Sequence, residues 1–148
     1  MVVHRFDTLQ AVPVGTLLCL DLVSHCYQNI TAPVLIAHAE DDWDIPDTHS
    51  DILFQAFLDP ILPQVETPKN PLLMNPESWH EFTDQHTRRM EALDKIVRTT
   101  TIPKFGRVEE FDDGKRKVVL VKTLAGGHDN IGAQEGLVDI IGKTFRFI

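Results

Sequence analysis

The sequence predicts an α/β fold, and two observations carry that prediction. Two continuous apolar runs, Val34 to His38 and Val118 to Val121, read as strands buried on both faces, because their apolar residues do not alternate. Each run is followed by a segment of helical periodicity. Strand, helix, strand and helix in that order suggest part of a parallel sheet with flanking helices.

From the beginning of the chain, "HRFDTLQAV" (4–12) has the pattern of a short helix, and the run after it fits either a strand or a buried helix. The segment "VGTLLCLDLV" is apolar but too short, and interrupted by Asp21, to be a transmembrane helix. After the first strand, "PDTHSDILFQAFL" predicts a helix that starts at Pro46 with Asp47 or Thr48. Ile52, Leu53, Ala56 and Phe57 form its expected core stripe. Prolines at 60, 63, 68, 71 and 76 make 59–76 an irregular connection. A second helix then begins at "NPESW", where Asn75 can cap and Pro76 suits the first helical position. Its apolar stripe runs through Trp79, Phe82, Leu93, Ile96 and Val97 to about Thr99, with Met90 close by. "GRVEEFDDGKRKVVLVKTL" predicts a hairpin turning at Asp113-Gly114, an embellishment on the parallel sheet. The last helix is amphipathic, with Ile131, Leu137, Val138, Ile141 and Phe145 facing inward.

Length and composition limit the functions available. A chain of 148 residues fits one domain, and 43% apolar with 24% charged residues is ordinary for a soluble globular protein. The net charge of -8 argues against nucleic-acid binding, since no basic stripe is present to displace counterions from phosphate. Cys19 and Cys26 match no zinc pattern and form no disulfide framework, so both are read as reduced and inert. The opening "MVVHRFDTLQ" lacks the layout of a signal peptide, so the sequon at Asn29 is read as chance.

Two stretches carry chemistry, and each follows a predicted strand. "HAEDDWDIP" follows the first with a run of carboxylates. "LAGGHDNIG" follows the second, with two glycines that allow a sharp turn before His128. Ligands of open α/β sheets bind beyond the carboxyl ends of the strands, so an acid and a histidine on that edge are placed to meet. A carboxylate bonded to an imidazole fixes its tautomer and makes the ring a usable general base.

"PVLIAHAEDDWDIP" resembles the acid strand and loop of the α/β-hydrolase family: a small residue, two positions, Asp, two positions, then Val-Pro. Here Asp42 falls on the triad acid. The strand followed by "GGHDN" resembles the histidine loop, which places the triad histidine at His128, and the order acid before histidine matches the family. The segments resemble most closely the esterase and lipase branch that includes lysophospholipases, monoacylglycerol lipases and Bem46-like proteins, and "HRFDT" is similar to the segment preceding the acid strand there. The resemblance implies a partial α/β-hydrolase domain over 1–148. It would be the carboxyl-terminal part of the sheet, with flanking helices and an inserted helical segment within 59–116. The spacing of 86 residues between Asp42 and His128 is long for the family, which is why an insertion is expected. Val12 to Gln28 has no clear family counterpart. A carboxylic ester, an acylglycerol or a lysophospholipid among them, is the substrate implied for the complete form.

The family nucleophile, a serine in a Gly-x-Ser-x-Gly elbow, is missing from these 148 residues, as is a His-Gly-Gly-Gly oxyanion loop. Ser24, Ser50 and Ser78 lack the flanking glycines. The expectation is therefore a fragment carrying acid and histidine without the serine. Its alternatives are a non-catalytic interaction domain and a truncated gene product without independent activity. Glu40, Asp41 and Asp44 are read as solvated loop charges or a local cap, and His38 as a satisfied core histidine. His80 and His86 lack the spacing of a zinc pair and His25 with Cys26 lacks partners, so neither a metal nor a cofactor is expected.

Overall fold

The computed structural model describes residues 30–68 and 74–147. The expectations for 1–29, including the short helix, the two cysteines, Ser24 and "HRFDT", lie outside the described residues. Within them the order is β1 (Val34–Ala39), α1 (Thr48–Leu58), α2 (Pro76–Ile96), β2 (Arg98–Ile102), β3 (Gly106–Asp112) and β4 (Lys117–Thr123). A short turn α3 (Gly127–Asn130), a 3-10 turn (Ile131–Ala133) and α4 (Glu135–Thr144) follow.

The four strands form one sheet in the order β1-β4-β3-β2. β1 and β4 run parallel, from Val34 opposite Val118 to Ala39 opposite Thr123. β3 pairs with β4 and β2 with β3, both antiparallel. The α/β class therefore stands, but the sheet is mixed: the hairpin supplies half its strands rather than decorating it. β2, the run Arg98-Thr-Thr-Thr-Ile102, falls where the sequence reading extended the second helix. Its three threonines are β-branched and favour the extended chain over another helical turn. α2 ends accordingly at Ile96.

Alternate residues of the parallel pair divide two apolar clusters. On one face Ile36, Val118 and Leu120 pack with Phe111, Leu62 and the Phe54, Phe57 and Leu58 of α1. On the other, Val119 and Val121 pack with Leu137 of α4, joined by Leu35, Ala37, Val108, Ile140 and Ile141. β4 is thus the strand buried on both faces, as expected, while Val34, Leu35 and Ala37 of β1 are only half-buried. Each large side chain buried here contributes about 1.5–3 kcal/mol of transfer free energy.

α1 is rotated from its expected stripe. Ser50, Phe54, Phe57 and Leu58 are buried, whereas Ile52 is 60% exposed. The cause is polar. Lys122 of β4 is buried beneath α1, and its Nζ lies 2.6 Å from Asp51 and 3.2 Å from Asp47. These acids stand one turn apart and must face the sheet edge to reach it, which turns Ile52 outward. Burial alone would lower the Lys122 pKa, but the two carboxylates outweigh it and hold the ammonium above its ordinary value. Asp47 precedes the helix without capping it, since its carboxylate is committed to Lys122.

α2 starts as read: the Asn75 side chain accepts the Ser78 amide at 2.7 Å, with Pro76 in the first turn. None of its residues is buried; Leu93, Ile96 and the adjoining Val97 reach the core only partly, and Trp79 stays half exposed. Between β3 and β4 the turn sits one residue later than Asp113-Gly114. Asp113 bonds Arg116 across it, and Gly114 takes a φ of 79°. The Asp113 carboxylate accepts the Lys115 and Arg116 amides and faces the Arg116 guanidinium at 3.5 Å. That guanidinium also donates to Ile30 O and lies over the Phe57 ring, tying the turn to the core. In α4, Leu137 is buried and Ile141 partly so, but Val138 is exposed, as is Phe145 just past the helix end, contrary to the expected stripe.

Candidate functional site

The acid loop begins where the parallel ladder ends. Glu40 donates its amide to Thr123 O at 2.8 Å, one step beyond the last strand pair, and the Asp42 amide then turns back to Ala39 O. The Asp42 carboxylate organises the rest of this loop. Its Oδ1 accepts the Asp44 amide at 2.9 Å and the Ile45 amide at 3.0 Å. Such side chain to backbone bonds are the local preference of aspartate in turns.

The second oxygen of the same carboxylate faces the other loop. His128 Nδ1 lies 3.3 Å from Asp42 Oδ2, across 86 residues of sequence. The Asp42 side chain is 7% exposed and the His128 side chain 45%. The structure therefore brings together the two residues singled out from the sequence, one beneath the surface and the other at it. Burial pushes the Asp42 carboxyl up, but the amides of Ile45 and Asp44 and the His128 ring together hold it below its ordinary value. An ionised carboxylate only accepts, so a hydrogen bond between the pair needs the proton on His128 Nδ1. Nε2 is then the basic nitrogen of the neutral ring.

His38 supports this arrangement from the strand. It is buried, as a satisfied core histidine should be, with Nε2 3.1 Å from Ile45 O and 3.9 Å from Asp42 Oδ2. Glu40 and Asp44 are exposed, in keeping with solvated charges.

Asp41 departs from that reading. Its Oδ1 accepts the Gly127 amide at 2.7 Å and its Oδ2 the Gly126 amide at 3.3 Å. The acidic loop is thus joined to the histidine loop twice, by Asp42 through a side chain and by Asp41 through backbone. Signals for Asp41 existed in the sequence: an acid beside the assigned acid, and a Gly-Gly pair whose amides no side chain shields. Gly126 and Gly127 have φ of 132° and 52°, which side-chain-bearing residues rarely adopt, and a Cβ on Gly126 would meet the Gln134 amide nitrogen at 2.4 Å. The Ala125 carbonyl accepts from both Thr123 Oγ1 and Gln134 Nε2, so the histidine loop is also held from its own side.

Trp43, next to Asp42, is 96% exposed. A cleft of about 350 Å³ opens near the sheet edge among Glu40, Asp47, Lys104, Arg107, Lys122 and Leu124, but neither Asp42 nor His128 lines it. Of its charged side chains Lys122 pairs with Asp47, and Arg107 pairs with Glu109 outside the cleft. Ser50, buried in the first turn of α1, donates to Asp47 O at 2.6 Å, and Ser78 lies in the first turn of α2. Among the described residues no three His, Cys, Asp or Glu side chains converge as a metal site would require. No helix among them is long and apolar enough to cross a membrane.

Comparison with protein-family models, with curated proteins and with solved structures found no match.

Proposed function

We propose that this chain supplies the acid and the histidine of a serine-hydrolase triad, in the manner of the α/β-hydrolase fold, and that the complete system cleaves carboxylic esters of the acylglycerol or lysophospholipid kind. One observation carries the reading: a low-pKa, nearly buried Asp42 carboxylate reaches the exposed His128 ring from the opposite loop at the carboxyl edge of two parallel strands. The acid is held by two loop amides and the imidazole is open to solvent, where a hydroxyl could reach its Nε2.

In this role Asp42 orients the ring and stabilises its protonated form. His128 Nε2 takes the proton of a serine hydroxyl as that oxygen attacks the ester carbonyl, then returns it to the leaving alcohol. Water repeats the cycle on the acyl-enzyme. The serine comes from outside these 148 residues, which contain no Gly-x-Ser-x-Gly.

The experiment joins genetics to chemistry. The coding sequence around this chain is inspected for a strand followed by Gly-x-Ser-x-Gly, and the product is treated with a fluorophosphonate, which reports a hydroxyl activated by a neighbouring base. The 148-residue chain alone is expected to remain unlabelled. The product containing the elbow is expected to label and to hydrolyse esters. There His128→Ala lowers turnover by about three to six orders of magnitude, and Asp42→Asn somewhat less. Unchanged hydrolysis in the His128→Ala protein would sink the proposal.

A further inference from the structure

We infer that Asp41 is a positioning residue: it holds the His128 loop by backbone, so that the Asp42–His128 pair forms with the ring in one tautomer. This inference rests on the triad reading and assigns a role to the neighbouring acid that the reading does not need.

Asp42 already takes two amides of its own loop on Oδ1, leaving Oδ2 for His128. Nothing in those bonds fixes where the histidine loop stands. Asp41 does fix it, because both of its oxygens cross to the other loop and grip consecutive amides, those of Gly126 and Gly127. Two bonds from one rigid carboxylate restrain distance and orientation together, and bonds of this charged kind are among the stronger protein hydrogen bonds. His128 is the next residue, and Asn130 N closes back on Gly126 O at 3.0 Å, so the ring leaves a turn whose start Asp41 anchors. Without that anchor the loop keeps its own bonds at Ala125 and Asn130, but no backbone bond ties it to the acid loop, and the 3.3 Å contact rests on the half-exposed ring alone. Gly126 and Gly127 allow the grip, since their positive φ values turn both amides toward the acid loop.

The test reads the ring itself in the 148-residue chain. Histidine 15N is introduced and the ring nitrogens are followed by long-range proton–nitrogen correlation with the imidazole neutral. Intensities from β4 and α1 methyl groups verify the fold of each variant. In the parent, His128 is expected as the Nδ1–H tautomer, opposite to the Nε2–H preference of a free imidazole. Asp41→Ala is expected to lose that tautomer even though Asp42 is intact. Asp41→Asn, which keeps one oxygen acceptor, is expected to retain part of it and carries the test if the alanine variant does not fold. Glu40→Gln, at a neighbouring acid whose side chain makes no hydrogen bond to the histidine loop, is expected to leave the tautomer unchanged. A parent with the Nε2–H tautomer would remove the Asp42–His128 pair, and with it both the triad reading and this role. A parent with the Nδ1–H tautomer that survives unchanged in folded Asp41→Ala would overturn the role of Asp41 alone.

Discussion

The two sides of the sheet are built by different physics. Around β1 and β4, side chains from α1 and α4 fill both faces, and even the lysine of this region is buried under two carboxylates. Along α2 and β2 no residue is buried: the helix touches the core with one end, and all five residues of the outer strand are exposed. Arg89 of α2 instead reaches Asp59 and Pro63 O, polar contacts at the surface. Such contacts position an element cheaply but add little stability. The candidate site belongs wholly to the first region. Its two loops leave the only parallel strand pair among the described residues, so the packing that holds β1 beside β4 brings both loops to one edge.

That contrast can be broken first at its strongest point. Phe57 is buried between Leu58, the Arg116 guanidinium and the sheet, and Phe57→Ala is expected to cost about 3–5 kcal/mol in urea unfolding. A cost below about 1 kcal/mol would mean that this face is not the stabilising one.

A smaller effect sharpens the comparison through pH. Asp42 in the site and Asp113 in the β3–β4 turn both have folded pKa values below the ordinary 3.8. For both, burial opposes the shift and backbone amides carry it. A carboxyl depressed by folding contributes stability that is complete above 3.8 and is lost as pH falls through the lower folded value. The acid limb of stability below pH 3.8 is therefore expected to flatten in Asp42→Asn and in Asp113→Asn, and to do so additively, because the two sites share no partner. An unchanged limb in both variants would contradict the bonding described for them.

The smallest expected effect lies on the exposed side. Trp79 pairs edge-on with Phe82 but remains half exposed, so Trp79→Ala is expected to change stability by no more than about 1 kcal/mol in the same urea assay. A loss comparable to that of Phe57→Ala would place α2 in the core and remove the distinction between the two regions.

Much of the first region was legible in the sequence because burial writes a pattern. The runs Val34–His38 and Val118–Val121 gave both parallel strands, Asn75-Pro76 gave the start of α2, and the two loops gave Asp42 and His128. What escaped was set by tertiary partners. The turn of α1 is decided by Lys122, a charge embedded in an apolar run; of its two acids, Asp47 read as a helix-start residue and Asp51 as nothing in particular. β2 escaped because a strand with no buried residue has no apolar alternation to detect, only its β-branched threonines. Asp41 escaped because its partners are backbone amides 85 and 86 residues away, and the glycine pair that offers them is equally the mark of an ordinary turn.

The parallel pairing of β1 with β4 has a consequence for the order of assembly. β3 and β4 are joined by a tight turn and can zip locally, on the microsecond scale typical of hairpins. β1 must wait, since closing so long an intervening stretch costs chain entropy before any contact repays it. On a ribosome, β1 and α1 emerge long before β4 exists. The Asp42–His128 contact can arise only after β4 has emerged and docked. Any chain that carries it has therefore already paired β1 with β4, which makes the contact a reporter of that long-range pairing as well as a candidate for chemistry.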